Sequence, residues 1–210
     1  MTRRRKDSSR HGRQATTGSY RIIGGEWRGR RLSFPDEGGV RPTGDRVRET
    51  LFNWLQPIIH GSRCLDLFAG SGALGIEALS RGAAEVVFVD RHPALIRGIE
   101  SNLEILSVNR GRCVCANAEQ FLAGPARCFD IVFLDPPFGR VAWPDLCRAL
   151  ASGGWLAREA RVYMEDEAVA GTPTVPENWV VLRSARAGNV GYHLASAPGR
   201  SLDQPPRKEP

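Results

Sequence analysis

The chain has 210 residues, 41% hydrophobic and 25% charged, an ordinary balance for a globular protein with one sizeable core and an appendage. No apolar run is long enough to span a bilayer, and the basic N-terminus lacks the apolar stretch of a secretory signal, which predicts a cytoplasmic protein with no membrane partner. Five cysteines without a C-x-x-C pair and four scattered histidines predict reduced structural thiols and no metal. The net charge of +6 is uneven: residues 1–31 hold ten basic residues against Asp7 and Glu26, which leaves residues 32–210 at −2. A local basic arm on a near-neutral body suits contact with a polyanion, most commonly nucleic acid. A solvated tail would look the same, and for residues 1–18 composition does not choose between them.

Residues 1–18 are polar, basic and aperiodic and are predicted to form a disordered arm. Residues 19–36 read as a hairpin extension, with strands near Tyr20–Ile23 and Arg30–Phe34 around Gly24-Gly25 and Gly29. Pro42-Thr43 opens a helix through about Ile59, with Thr43 as N-cap and Val47, Leu51, Trp54 and Leu55 on one face. Strands and helices then alternate. Strands are expected at Arg63–Phe68, Glu85–Asp90, Arg112–Ala116, Phe129–Leu134 and Arg161–Glu165. Helices start near Gly72, end at Leu106 and Leu122, and run from Trp143 to Ala151. A closing pair, Trp179–Ala187 and Val190–Ala195, meets at the tight-turn dipeptide Gly188-Asn189. Residues 37–195 thus predict an α/β domain, a mostly parallel sheet with helices on both faces and an antiparallel edge hairpin. Residues 196–210, with four prolines, read as a disordered tail.

Asp66-Leu67-Phe68-Ala69-Gly70-Ser71-Gly72-Ala73-Leu74-Gly75 follows the first sheet strand and opens a helix. Glycines there let a backbone approach a ligand closely, and the helix start offers free N–H groups. Asp90 ends the next strand, placed to accept the ribose hydroxyls of an adenosine. The glycine spacing alone also fits a dinucleotide, so it indicates an adenosine-containing cofactor without naming one. Asp66 favours a methionine-type cofactor, whose ammonium group it can pair with and which NAD lacks.

Asp135-Pro136-Pro137-Phe138 follows the apolar strand Ile131–Leu134, at the sheet edge where open α/β folds bind ligands. An exocyclic base nitrogen is a poor nucleophile because its lone pair is delocalised into the ring. Asp135 and the Pro136 carbonyl can accept its two hydrogens, which restores lone-pair character. The prolines stiffen the loop, and Phe138 offers a flat face for stacking a base. Asn117-Ala118, at the same edge, can contact the cofactor adenine or cap the next short helix. The block Arg41-Pro42-Thr43-Gly44-Asp45-Arg46-Val47-Arg48 is charge-dense; its arginines suit phosphates or a solvated helix start, and Arg46 and Arg48 cannot share a helix face.

These segments, with Arg21-Ile22-Ile23-Gly24-Gly25, Trp27-Arg28-Gly29-Arg30 and Arg48-Glu49-Thr50-Leu51-Phe52-Asn53-Trp54-Leu55, resemble the bacterial 16S ribosomal RNA guanine-N2 methyltransferase family (RsmD) over residues 20–195. The resemblance implies a class I S-adenosylmethionine-dependent methyltransferase fold, Rossmann-like with seven strands, plus an N-terminal hairpin. It implies S-adenosylmethionine as methyl donor and guanine 966 of 16S rRNA, in the small ribosomal subunit, as acceptor. Asp135, Pro136 and Phe138 would then be catalytic. Asp66, Phe68, Gly70, Ser71, Gly72, Asp90, Arg91, Asn117, Ala118 and Asp135 would bind cofactor. Arg21, Trp27, Arg28, Arg30, Arg31, Arg41, Thr43 and Arg46 would meet RNA, and the protein is expected to be a monomer. Three rivals remain. An adenine-N6 DNA methyltransferase shares the tetrapeptide but needs a separate DNA-reading region. An NAD-dependent oxidoreductase leaves Asp135–Phe138 without a role. A catalytically silent RNA-binding assembly factor has no need of Asp66, Asp90 and Asp135.

Overall fold

The computed structural model describes residues 17–37, 42–139 and 141–199. Its centre is a seven-stranded sheet. Five parallel strands form it: β3 (Arg63–Asp66), β4 (Glu85–Asp90), β5 (Gly111–Cys115), β6 (Phe129–Leu134) and β7 (Leu156–Glu167). Val86–Val89 and Ile131–Leu134 are buried throughout, as strands covered on both faces must be. The antiparallel pair β8 (Val180–Ala187) and β9 (Val190–Ser196) completes the edge, in the order β5-β4-β3-β6-β7-β9-β8. The helices are α1 (Asp45–Leu55), α2 (Ala73–Ser80), α3 (Pro93–Ile105), α4 (Ala118–Leu122) and α5 (Trp143–Ser152). One core lies between the sheet and α1, α2 and α3, and a second lies under α4 and α5. The strand order reverses between β3 and β6, which opens a crevice at their carboxyl ends.

The hairpin of β1 (Thr17–Arg21) and β2 (Arg31–Pro35) is a separate two-stranded sheet, but it shares the main core. Tyr20, Ile22, Trp27, Leu32 and Phe34 are all buried in the cluster that contains Leu51, Phe52 and Leu79. The junction is held by a fully buried carboxylate. Glu77 accepts the backbone N–H groups of Ile23 and Gly24 and the Arg81 Nε–H, each at 2.8 Å. The Nη1 of Arg48, itself fully buried, lies 3.6 Å from Glu77 Oε2. Arg48 also donates to the carbonyls of Thr43 and Arg21, both at 2.9 Å, and to Asp45 Oδ1 at 2.6 Å. Gly25, at φ +77°, sits so close to the Ser80 carbonyl that a Cβ would strike it.

Several boundaries differ from the sequence expectations. β1 begins at Thr17, inside the stretch assigned to the arm, because Thr17 and Gly18 pair with Pro35 and Phe34. The chain stays bonded beyond residue 195. Ser196 belongs to β9, and Ala197 and Gly199 donate to the carbonyls of Ala160 and Ala157, each at 3.0 Å. The loop-like composition of Ser-Ala-Pro-Gly hid partners that lie in a distant strand. The remainder of both tails, 1–16 and 200–210, lies outside the described residues. α1 starts at Asp45 with Gly44 as N-cap, not Thr43, whose hydroxyl is turned elsewhere, and it ends at Leu55 rather than near Ile59. β7 is 12 residues long where five were expected.

Candidate active site

The crevice is built from the carboxyl ends of four strands. At the end of β3, Asp66 is almost fully buried and accepts the Gly75 N–H at 3.0 Å. Burial pushes its carboxyl up to about 7, only partly offset by the Gly75 bond and further raised by Asp135 and Asp90. A buried carboxylate so poorly compensated suits a cationic partner. The following turn runs through Gly70 and Gly72 at φ +51° and +78°, where side chains are disfavoured. Asp90, at the end of β4, ties this turn down: Oδ2 accepts the Gly70 N–H at 2.9 Å and Oδ1 the His92 N–H at 2.8 Å. Oδ1 also lies 3.0 Å from His92 Nδ1, so Oδ2 is the oxygen that keeps a lone pair and can hold the turn while accepting a ribose hydroxyl.

Asn117 follows β5 and caps α4 in a reciprocal box with Gln120, its Oδ1 accepting the Gln120 N–H at 2.7 Å. That leaves its amide N–H groups to donate toward an adenine ring nitrogen. Phe68 and Ala118 are half-buried beside the crevice strands, Ser71 is buried, and Arg91 is exposed. These residues fit an adenosine-bearing cofactor that carries an ammonium group: acid for the amine, open backbone for close approach, acid for the ribose.

Asp135 follows β6, across the order reversal from Asp66. Thr43 Oγ1 donates to its Oδ2 at 3.0 Å, which is why Thr43 does not cap α1. Burial raises the Asp135 carboxyl to about 6, and the Thr43 bond opposes that rise. Pro136 is buried while Phe138 remains 38% exposed, a free ring at the mouth. β7 supplies two residues that sequence reasoning missed. Glu165 is 5% exposed, and Tyr163 Oη donates to its Oε2 at 2.6 Å. Burial first and Asp135 second raise the Glu165 carboxyl to about 8, against the Tyr163 bond. The signal was available: an acid at the carboxyl end of an apolar strand, as with Asp90.

Of the residues expected to meet RNA, Thr43 lies in the crevice on Asp135, and the other described ones do not gather there. Trp27 is a core residue, 7% exposed, its backbone N–H donating to Ser80 Oγ at 3.0 Å; burial of its indole removes it as a stacking platform. Arg48, one of the possible phosphate ligands, is buried against Glu77 instead. Arg28 and Arg30 are exposed, but the turn carrying them lies against the C-terminal ends of α2 and α3. Glu26 N–H donates to the Ser80 carbonyl at 2.7 Å, and Arg30 Nη2 to the Ile105 carbonyl at 3.4 Å. Both helices start at the crevice edge, so this turn is about 12 Å or more away, a helix length at 1.5 Å per residue. Arg21 is exposed and paired with Asp45 at 3.4 Å, near the start of α1, and Arg31 is its cross-strand neighbour. Arg46 is exposed on α1, and Arg41 lies outside the described residues. Among the described residues no cluster of three or more metal-ligating side chains occurs, and no helix is long and apolar enough to cross a membrane.

This sheet order, with a glycine turn after the first parallel strand and a carboxylate after the next, defines a Rossmann-like α/β methyltransferase. Residues 20–196 match the family model described as Conserved hypothetical protein 95. Ribosomal RNA small subunit methyltransferase D of Escherichia coli K12 is 51% identical over 178 residues, covering 85% of this chain and 90% of that one. Its Haemophilus influenzae counterpart is 44% identical over 181 residues, covering 84% and 93%. The solved structure of Escherichia coli yhhF has a TM-score of 0.80 at 46% identity, covering 87% of this chain and all of that one. The chain belongs to this family, that of ribosomal RNA small subunit methyltransferase D, and is a methyltransferase.

Proposed function

We propose that the enzyme transfers a methyl group from S-adenosylmethionine to the exocyclic N2 of one guanine of 16S rRNA, position 966, within the small ribosomal subunit. The observation that carries this reading is Asp135, held on one oxygen by Thr43 at the mouth of a crevice whose other carboxylates suit an adenosine and an ammonium group. Asp66, the Gly70–Gly72 turn, Asp90, Asn117 and Ala118 would hold the cofactor, which when bound supplies an electrophilic methyl group on sulfur. Asp135 would accept one hydrogen of the target amine and the Pro136 carbonyl the other. Phe138, exposed beside them, would stack the base. Because the acceptors are fixed before the substrate arrives, little reorganisation accompanies the reaction.

For the adenine-N6 DNA reading, no segment among the described residues is long enough to form a separate reader of duplex DNA, and the NAD reading leaves the buried Asp66 without a cation. Intact Asp66, Asp90 and Asp135 speak against a silent binding factor. The described basic residues of the hairpin, Arg21, Arg28, Arg30 and Arg31, are exposed on its surface rather than gathered at the crevice, which suits an extended rRNA-bearing particle. A cytoplasmic monomer acting there, with a basic arm before Thr17 and the hairpin as a particle-docking element, fits these features. The test is methyl incorporation from labelled S-adenosylmethionine into small subunits purified from cells lacking the enzyme. Label in the 16S rRNA is expected; absence of label, or calorimetry in which NAD binds and S-adenosylmethionine does not, would overturn the reading.

A further inference from the structure

The tetrapeptide Asp135–Phe138 suits any amino-bearing base, so it leaves the choice of guanine unexplained. The neighbouring strand bears on that choice. Leu134 is in register with Met164, the last pair of the parallel β6–β7 ladder, so Asp135 and Glu165 stand side by side just beyond it. Adjacent strands are spaced about 4.8 Å apart. The two carboxylates are held alike: a hydroxyl donates to one oxygen of each, Thr43 Oγ1 to Asp135 Oδ2 at 3.0 Å and Tyr163 Oη to Glu165 Oε2 at 2.6 Å. Among the described residues no basic side chain forms an ion pair with either. Two largely buried acids, each oriented by a hydroxyl and neither neutralised, form a site with a surplus of acceptors. Buried acceptors without donors are costly, so the site should take a ligand edge that presents adjacent N–H groups.

We propose that Glu165 is a specificity-determining residue that accepts the N1–H of guanine while Asp135 accepts from its N2 amino group. Among the common bases that carry an amino group, only guanine places a ring N–H directly beside it. Adenine and cytosine present a ring lone pair there, which would face the Glu165 carboxylate. Burial raises the proton affinities of both acids in the free protein, with Asp135 raising that of Glu165 further, and the two base donors would replace the retained proton. The inference rests on the proposed guanine-N2 activity and adds the group that reads the ring.

The test uses the full-length protein, wild type and Glu165→Gln, on small subunits whose 16S rRNA carries guanine or 2-aminopurine at the target position. 2-Aminopurine keeps the amino group but has a lone pair at N1. Wild type should prefer guanine by about 10- to 100-fold in kcat/KM, the range of a lost hydrogen bond to a charged group. Glu165→Gln, whose amide can either accept or donate, should lose most of that preference, chiefly through a lower rate on guanine, with S-adenosylmethionine affinity by calorimetry unchanged. Tyr163→Phe, which frees the Glu165 carboxylate to turn, should reduce the preference by a smaller factor and serves if the glutamine variant does not fold. Unchanged preference in a variant that binds cofactor normally overturns the role of Glu165. Wild type failing on guanine-bearing particles would instead overturn the underlying reading.

Discussion

The buried Glu77 joint is the feature on which the hairpin's attachment depends, and its removal has a calculable cost. Glu77→Ala takes away the acceptor for two backbone N–H groups and one of the two carboxylates beside Arg48, which has no exposed surface and keeps Asp45 at 2.6 Å. Breaking a buried ion pair outright costs about 3–5 kcal/mol, an upper bound here because Asp45 stays, and each unsatisfied buried N–H costs about 1–3 kcal/mol. These overlap, because water entering the joint would serve several groups at once. A loss on the order of 5 kcal/mol remains, against a total stability of about 5–15 kcal/mol for an ordinary domain. Glu77→Gln keeps the shape and one acceptor oxygen and should lose roughly half as much. Urea denaturation followed by tryptophan fluorescence measures both, since Trp27 lies in the hairpin and is buried against this joint. A Glu77→Ala variant within about 1 kcal/mol of wild type would refute the reasoning, because surface-like substitutions already span that range.

Other outcomes follow from the same geometry. Thr43→Val removes the hydroxyl on Asp135 and should lower kcat about 10-fold or more while leaving S-adenosylmethionine affinity intact, measured by calorimetry beside single-turnover kinetics. Trp27→Ala should cost about 3–5 kcal/mol of stability, as for any buried indole; a stable variant with weakened particle binding would return Trp27 to the RNA surface. Substituting Arg28, Arg30 and Arg31 together should flatten the salt dependence of particle binding without changing cofactor affinity. The carboxyls of Asp66, Asp135 and Glu165 are raised to about 7, 6 and 8, so between about pH 4 and 8 the folded protein holds protons that the unfolded chain releases. Stability of the cofactor-free enzyme should therefore fall as pH rises through that window, and thermal melts at pH 5.5 and 8 should show the higher Tm at the lower pH. Asp66→Asn should reduce the difference, and an unchanged difference would contradict the assignment.

Much of the catalytic edge was legible because it is local. A glycine turn after an apolar strand, an acid ending the next strand and a proline-stiffened acid after a third are each short patterns within one strand–loop unit, and the strands Glu85–Asp90 and Phe129–Leu134 fall where the sequence puts them. Contacts between distant segments were not legible. Thr43 is an excellent N-cap by residue type, yet the carboxylate 92 positions away competes for its hydroxyl. Trp27 and Arg48 sit in basic, glycine-rich or charged blocks that look solvated, and only the packing of the hairpin on α2 shows them to be buried. The arginines of the hairpin turn were assigned to RNA by the resemblance and by local charge, and only helix direction shows that they lie at the sheet edge opposite the crevice. Glu165 was within reach of the rule that found Asp90, since it ends the expected strand Arg161–Glu165.

The central claim is that Asp135 and the residues around it direct methylation to the amino group of a guanine. Nucleoside mass spectrometry of 16S rRNA, after small subunits lacking the modification are treated with the enzyme and S-adenosylmethionine, tests it most directly. The account predicts one new N2-methylguanosine per subunit, mapped to a single nucleotide and absent when Asp135→Ala replaces the wild type. N6-methyladenosine, or N2-methylguanosine formed equally well by the Asp135→Ala variant, would contradict it.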